Sequence, residues 1–404
     1  RPQAKKGLKQ PKSKVMISHQ HILEILQKYD QENLTIGVLG GHTALDVCHG
    51  AKKYGFKTVV ICQKGREKTY DRYFRVKPDV DVVPGQLEPW HNTKGIIDET
   101  IIVDKFADIV KPKIQEQLRE MNTIMIHNRY FWVYCDFNQI ENDFLVPIYG
   151  TREMLRLEDR SLENNQYSLL RKAGIRYPKI FERPRDIDRL VLVKVNETLR
   201  GYERASFFAS SPQDYEKKAR ELIKAKIISE KNLQKAVIEE FIIGAPLNFN
   251  FFYSNMDNEL ELMGCSRNIQ TNMDGLLRLP APEQSAILQY MRPRMIVAGH
   301  DAVTVKESLV EKIFLNGEKF VEMTRTEFPP GIIGPFALQG AITAEDGYED
   351  LVIYDVSMRI PGAPGLRYTP YSGYLYGDSL SVGERIAMEI KKAIKERKLT
   401  EIVT

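Results

Sequence analysis

The stretch Leu34-Thr-Ile-Gly-Val-Leu39 runs directly into Gly40-Gly41-His42-Thr43, and this junction most constrains the fold. A short apolar run without alternation is a strand buried on both faces. The glycine turn then opens a second periodic segment, Ala44 to Tyr54, which reads as a helix ended by Gly55. Thr58-Val-Val-Ile-Cys62 follows as another buried-type strand. Strand, tight turn, helix and strand in this order make a βαβ unit, and such units build open parallel sheets. The backbone N–H groups of the Gly40-Gly41-His42-Thr43 turn, with the helix dipole behind them, form an anion site. A plain tight turn would explain the same glycines, because the full G-x-G-x-x-G spacing is absent. His42 sits at the tip, facing whatever fills the crevice.

The rest of the chain is read around that unit. Ser18 to Tyr29 is an amphipathic helix, and Asp98 to Val103 and Thr123 to His127 supply further strands. Lys77 to Gly95 is a long loop rich in Pro, Gly and polar residues. A second lobe is expected from near Gly150. It begins with a helix that Gly174 terminates, followed by a strand at Tyr177-Pro-Lys-Ile-Phe181. Then come a helix over Pro212 to Ala225, strands over Asn248 to Tyr253 and Leu260 to Cys265, and a terminal helix from Ser381 to Arg397. The first 14 residues are rich in Lys, Pro and Gln and poor in large apolar side chains, so they read as a flexible basic tail. The tail is either a solvated extension or an arm that touches a partner.

Composition excludes several classes. A chain of 404 residues exceeds one small core and calls for two or three packed lobes. A net charge of +4 without a basic stripe gives no case for nucleic acid. No apolar run approaches the roughly 18 residues of a spanning helix, so no membrane association is expected. Cys48, Cys62, Cys135 and Cys265 form no C-x-x-C pair, so reduced thiols and a cytoplasmic location are expected.

A spaced series of polar residues carries the chemistry. Lys194 ends the apolar run Leu190-Val-Leu-Val-Lys194, and Val237-Ile-Glu-Glu-Phe-Ile-Ile-Gly244 reads as a strand that carries Glu239 and Glu240. Phe336-Ala-Leu-Gln339 and Leu351-Val-Ile-Tyr-Asp355 read as strands joined by a polar loop from Gly340 to Asp350, with Gln339 and Asp355 as oxygen ligands at one end of the hairpin. A lysine, a carboxylate pair and two oxygen ligands are what a nucleotide–Mg²⁺ clamp requires. Each piece alone is also an ordinary strand edge or surface hairpin. Positions 355, 357 and 359 share a strand face, which groups Asp355, Ser357 and Arg359 as a further site for Mg²⁺ and phosphate. The turn His127-Asn128-Arg129 ends the run Ile124-Met-Ile126. It places Arg129 at a strand's C-terminal end, where ligand crevices of open α/β sheets form. Thr271-Asn-Met-Asp-Gly275 reads as a turn, and Arg367 to Tyr376 as an aromatic loop.

Several segments taken together resemble one family. They are Leu39-Gly-Gly-His-Thr43, Glu141-Asn-Asp-Phe-Leu-Val-Pro147, Leu170-Arg-Lys-Ala-Gly-Ile175, Ile238-Glu-Glu-Phe241, Asn272-Met-Asp-Gly275, Pro329-Pro-Gly-Ile-Ile-Gly-Pro335 and Gly383-Glu-Arg-Ile-Ala387. From about Val15 onwards the chain resembles the archaeal ATP-grasp ligases that formylate 5-aminoimidazole-4-carboxamide ribotide with free formate and ATP in purine biosynthesis. The resemblance implies an α/β and α+β chain. Its small Rossmann-like, substrate-binding lobe over 15–150 precedes an ATP-grasp domain over 151–404, whose two lobes clamp ATP. Carried over by position, His42 and Asn272 contact the ribotide. Lys194 and Glu240, with Glu239 beside it, hold the nucleotide. Gln339 and Asp355 fall where the family places two Mg²⁺-binding glutamates, a site that Mn²⁺ can also fill. Formate and the ribotide are the expected partners, together with a second copy of the chain in a homo-oligomer.

Four departures surround the same site. The glycine-rich phosphate loop is Asn196-Glu-Thr-Leu-Arg-Gly-Tyr202, with one glycine left. Arg129 replaces a small substrate-contacting residue. The metal glutamates are Gln339 and Asp355, and Pro361-Gly-Ala-Pro-Gly365 stands where a Gly- and Asn-containing segment is expected. They leave three readings open: the family activity, a paralogous ATP-grasp ligase with another acid or amine, and a non-catalytic nucleotide-binding partner of a true ligase.

Overall fold

The computed structural model describes residues 17, 19–77, 94–158, 165–195, 205–291, 296–345 and 347–404. The basic tail, most of the Lys77–Gly95 loop and the segment Asn196-Glu-Thr-Leu-Arg-Gly-Tyr202 lie outside the described residues. The described chain contains three sheets.

The first sheet comprises β1 (Thr35–Leu39), β2 (Lys57–Gln63), β3 (Glu99–Val103), β4 (Thr123–Ile126) and β5 (Ile148–Tyr149), in the order β3-β2-β1-β4-β5. All its pairings are parallel. Every residue of β1 is buried, as an apolar run without alternation requires. The helix Ala44–Lys53 forms the crossover from β1 to β2. Against it lies the helix Val382–Lys395, which starts with a capping box between Ser381 and Glu384. Gly50 and Gly383 let the two backbones touch, because a Cβ on either would overlap the other helix. The C-terminal helix therefore shares a core with the first sheet, through Ile386, Ile390 and Ala393. The last residues then pair with β5: Ile148 N–H donates to Thr404 O at 2.9 Å, and Thr404 N–H returns to Ile148 O at 2.8 Å. The exposed sheet edge is thereby satisfied.

The second sheet is β6 (Ile180–Phe181), β7 (Val191–Val195), β8 (Ala205–Ala209) and β9 (Val237–Glu240), ordered β6-β9-β7-β8 and antiparallel. The helix Pro212–Lys224 covers it, capped by Ser211, with Tyr215, Ala219 and Leu222 packed on Val191, Val193 and Phe207.

The third sheet is β10 (Ala245–Ser254), β11 (Glu259–Gln270), β12 (Val297–Val303), β13 (Gly334–Glu345) and β14 (Tyr348–Ser357), ordered β12-β11-β10-β13-β14 and antiparallel. One face packs on the helix Glu307–Glu327 through Phe249, Phe251, Phe320 and Phe336. The opposite face meets the first sheet's core at one end. There Phe252 lies 4.2 Å under the guanidinium of Arg385, which is paired to the buried carboxylates of Glu261 and Glu389.

Three sequence expectations are corrected. Gly340 to Asp350 is not a polar loop: β13 and β14 run on to Glu345 and Tyr348. Ile342 and Thr343, both good strand residues, pair with Leu351 and Asp350. Gln339 and Asp355 consequently sit mid-strand rather than at the hairpin's end. Thr271 opens a short helix, Thr271–Leu276, where Asp274 accepts the Gln270 N–H. The aromatic segment is not a loop either, since it folds as Pro364–Tyr368 and Tyr371–Tyr376.

Candidate functional site

One rung crosses the third sheet and sets the site. Ala302, Ser266, Asn248, Gln339 and Asp355 stand opposite one another on β12, β11, β10, β13 and β14. On β10, Phe249 and Phe251 enter the core, so Asn248 and Asn250 occupy the other face. That face is knitted by amides and hydroxyls. Asn248 Nδ2 donates to Asn268 Oδ1 at 3.0 Å, and Gln339 Nε2 donates to Ser357 Oγ at 2.9 Å.

Above this floor lies a small cavity of about 80 Å³, lined by Asn248, Asn250, Ser266, Asn268, Gln339 and Ser357 together with His42, Arg129, His300 and Arg359. It shares His42, Arg129, His300 and Gly362 with a wider cavity of about 530 Å³, whose walls include Arg66, Tyr130 and Tyr134. The crevice thus runs from a polar floor to an aromatic and cationic mouth. His42 comes from the turn after β1 and Arg359 from just beyond β14, while Arg129, expected in a turn, opens the helix Arg129–Tyr134 that Asn128 caps after β4, so three separate segments converge.

His42 holds φ at 39°, a left-handed conformation that is uncommon for a side-chain-bearing residue. Its ring packs on Gly362, where any Cβ would overlap it, and lies 6.1 Å from the His300 ring. The His42 imidazole is held below the usual histidine range by desolvation first, then by the charges of Arg359 and Arg129. The residue keeps an open edge to solvent. That exposure weakens the desolvation effect, and the crowding of the two cations is the firmer cause. Burial also lowers His300. Two neutral imidazoles therefore stand beside two guanidiniums. Arg359 is buried, with its Nε 3.6 Å from the Glu158 carboxylate. Glu158 is in turn fixed by the Met358 N–H at 2.7 Å, and burial raises its pKa against the pull of Arg359.

Lys194 and Glu239 form a second cluster next to the first. Leu192 opposes Glu239 in the β7–β9 ladder, which puts Lys194 and Glu239 on one face, and they form an ion pair. The Tyr167 hydroxyl donates to Glu239 and lies 3.2 Å from the Tyr354 carbonyl. The Lys194 ammonium is 5.8 Å from the Tyr354 ring centre. The register slips between Gln339 and Gly340, so Tyr354 is an extra residue beside Asp355. Such a bulge re-aims side chains, and here it joins the lysine cluster to the cavity floor.

The structure brings His42, Arg129, Arg359 and Gln339 together around the cavity, and Lys194 with Glu239. Glu240 turns to the other side of β9, where Arg189 donates to it at 3.0 Å. Asp355 faces Gln339 in register without lining either cavity. Asn272 lies on the short helix after β11, half-buried and outside both cavities. Sequence reasoning alone passes over Asn248, Asn250, Ser266, Asn268 and His300. The signal that finds the first two is polar alternation, Asn248-Phe-Asn-Phe251, inside an aromatic strand.

A metal must be weighed against these donors. Among the described residues no cluster of three His, Cys, Asp or Glu side chains could hold one. One carboxylate and one amide on paired strands do fit a hard cation that takes its other ligands from phosphate oxygens and water.

Residues 36–181 match the family described as "Protein of unknown function (DUF1246)", and residues 214–404 match "Domain of unknown function (DUF1297)". The 5-formaminoimidazole-4-carboxamide-1-(beta)-D-ribofuranosyl 5'-monophosphate synthetase of Methanocaldococcus jannaschii is 38% identical over 392 residues, covering 96% of this chain and 100% of that protein. The enzyme of the same name from Methanopyrus kandleri is 37% identical with the same coverage. The crystal structure of an IMP biosynthesis protein PurP from Thermococcus kodakaraensis aligns with a TM-score of 0.65 at 25% identity, covering 91% of this chain and 100% of that one. N5-carboxyaminoimidazole synthetase from Staphylococcus aureus, complexed with ADP, aligns with a TM-score of 0.55 at 15% identity, over 90% of this chain and 79% of that one. The architecture is that of the ATP-grasp ligases, a parallel-sheet lobe followed by two antiparallel sheets. With such identity across almost the entire length of both chains, this protein belongs to the family of 5-formaminoimidazole-4-carboxamide ribonucleotide synthetases.

Proposed function

We propose that this chain joins formate to the 5-amino group of 5-aminoimidazole-4-carboxamide ribotide at the expense of ATP. A formate oxygen attacks the γ-phosphorus, giving formyl phosphate and ADP. The ribotide amine then attacks the formyl carbon, phosphate leaves, and the nitrogen loses a proton. Such chemistry depends on positioning and charge neutralisation more than on covalent help from the protein. The observation that carries the reading is the convergence of Arg129, Arg359 and two imidazoles held below the usual histidine range over an amide floor, in a chain of this family. Arg129 takes an anionic group, and His42 and Arg359 contact the ribotide. Lys194 on β7, kept in place by Glu239 on β9, meets the nucleotide phosphates, and Glu240 on the other face of β9 holds the nucleotide with it. Gln339 and Asp355 would hold Mg²⁺, which supplies neutralisation of phosphate charge when bound. Asn272, on the short helix after β11, is assigned to the ribotide by the resemblance alone.

The reading also carries a cytoplasmic location and a homo-oligomer. Among the described residues no helix is long and apolar enough to cross a membrane. The test is ADP release and formamide formation, followed by mass spectrometry, with ATP, formate and the ribotide. ATP binding without any turnover would refute it in favour of a nucleotide-binding partner. Arg129 favours one second reading, in which the acyl phosphate step is kept and the amine acceptor carries a further anionic group near the crevice mouth. A panel of amines and acids, read by ADP release, separates the two.

A further inference from the structure

The cavity floor contains an acceptor that the protein leaves unmatched. Asn250 is 1% exposed and lines the small cavity. Its Nδ2 is engaged by two backbone carbonyls, Asn248 O at 3.1 Å and Gly264 O at 3.2 Å, and by Ser266 Oγ at 3.2 Å. Exchanging the amide's ends would set its oxygen against two carbonyl oxygens, so the orientation is fixed. Asn250 Oδ1 is buried and has no hydrogen-bond partner among the described residues. The local backbone explains how it came to be there. The β10–β11 register slips between Asn250 and Phe251, opposite Gly264, whose φ of 142° breaks the regular ladder. A buried acceptor without a donor is costly, and where it persists a ligand or water supplies the donor.

The same cavity contains a complementary donor. Among the described residues Arg359 Nε is buried without a hydrogen-bond acceptor, at 3.6 Å from the Glu158 carboxylate, and its Nη1 donates to the Ile360 carbonyl at 3.3 Å. With a volume of about 80 Å³, the cavity admits one small group that meets both residues. Formate and phosphate offer oxygen acceptors, which suit Arg359 but oppose Asn250 Oδ1. An ammonium group suits Asn250 but is repelled by Arg359. A neutral primary amide offers an N–H and a carbonyl at once.

We propose that Asn250 is a specificity-determining residue that accepts an N–H from the substrate's neutral carboxamide while Arg359 donates to that carboxamide's oxygen. This deepens the proposed function and rests on it. It makes the amide, rather than the phosphate, the group read by the third sheet.

The test compares two ligands that differ at that group. Binding of the carboxamide ribotide and of the same ribotide with a carboxylate in place of the carboxamide is measured by calorimetry, without ATP. The wild-type protein should prefer the carboxamide by about ten- to a hundredfold, the range for one hydrogen bond to a desolvated acceptor. Asn250→Ala should remove most of that preference. The wild-type comparison needs no variant, so it stands even where Asn250→Ala does not fold. Equal binding of the two ligands by the wild type overturns the assignment of Asn250 alone. A folded Asn250→Ala protein that keeps the full preference also overturns it, leaving water as the partner of Oδ1. Failure of the wild type to bind either ribotide overturns the proposed function and this inference with it.

Discussion

Replacing Lys194 by methionine separates a structural ion pair from a nucleotide contact. The Lys194 side chain is 14% exposed and that of its partner Glu239 only 3%. Methionine keeps the length and apolar stem of lysine and removes the charge. The Glu239 carboxylate would then be buried with the Tyr167 hydroxyl as its hydrogen-bond donor. Stranding one member of a buried pair costs about 3–5 kcal/mol. Neutralising the stranded charge, with Glu239→Gln added to Lys194→Met, should recover most of this, because an amide at that position can still accept from Tyr167. The coupling between the two sites should reach about 2 kcal/mol, within the range for residues in contact. Guanidinium unfolding of the wild type, both single variants and the double variant gives the coupling directly. ATP affinity, measured by calorimetry on the same four proteins, gives the second reading. It should fall by about 2 kcal/mol wherever Lys194 is absent, as for a charge-assisted hydrogen bond, and should not recover in the double variant. Stability within 0.5 kcal/mol of wild type for Lys194→Met, the ~0.5 kcal/mol scatter of an uninvolved surface change, would refute the buried pair. Unchanged ATP affinity would refute the nucleotide contact.

Asp355→Asn should abolish turnover while the circular dichroism spectrum and unfolding midpoint stay those of the wild type. Glutamate restored at both 339 and 355 should raise activity or leave it unchanged, and a large fall would show a site remodelled for other chemistry. Arg129→Ser should raise KM for an anionic substrate, while identical steady-state constants for every substrate would make Arg129 a bystander. His127 adds a pH dependence: burial brings its imidazole down from 6.5 to about 4, with its Nε2 3.2 Å from the Met358 carbonyl. The folded pKa is the lower one, so the unfolded chain binds more protons between the two values. The stability from His127 is full above about pH 6.5 and falls by roughly 3 kcal/mol as the pH drops towards 4. His127→Gln should remove that slope from urea-unfolding free energies measured across this window.

The parallel sheet was legible because its strands are buried on both faces and leave apolar runs such as Ile36-Gly-Val-Leu39 and Val59-Val-Ile-Cys62. Helices with strong caps were equally legible, Ser211 before Pro212–Lys224 and Ser381 before Val382–Lys395. The position of the C-terminal helix against the first lobe was not. It depends on Gly50 meeting Gly383, two glycines far apart in sequence that nothing local links. The hairpin failed for another reason. Gly340 and the acidic residues near Asp350 resemble turn chemistry, but pairing with both β10 and β14 overrides that local preference.

The site follows the same division. Residue types and order pointed to Lys194, the Glu239–Glu240 pair, Gln339 and Asp355, but which of two adjacent glutamates faces the lysine is a question of register. Strand alternation allows either, and the pairing of Leu192 with Glu239 decides it. Arg129 and Arg359 were visible as cations near strand ends, yet their meeting required β4 and β14 to end on the same crevice. Of the four departures that the resemblance implies, the loop Asn196-Glu-Thr-Leu-Arg-Gly-Tyr202 lies outside the described residues, and the other three looked independent along the chain. In space, Arg129, Gln339 and the Pro361-Gly362-Ala363 segment line a single cavity, with Asp355 paired to Gln339 at its floor. Against the family pattern that the resemblance implies, a cation at 129 raises the positive potential, and an amide at 339 in place of a carboxylate removes negative charge from the same space. Both shifts move the potential of the crevice in one direction, towards positive. Arg129 and Gln339 line the same cavity, so a double-mutant cycle on ligand binding measures how far the two couple.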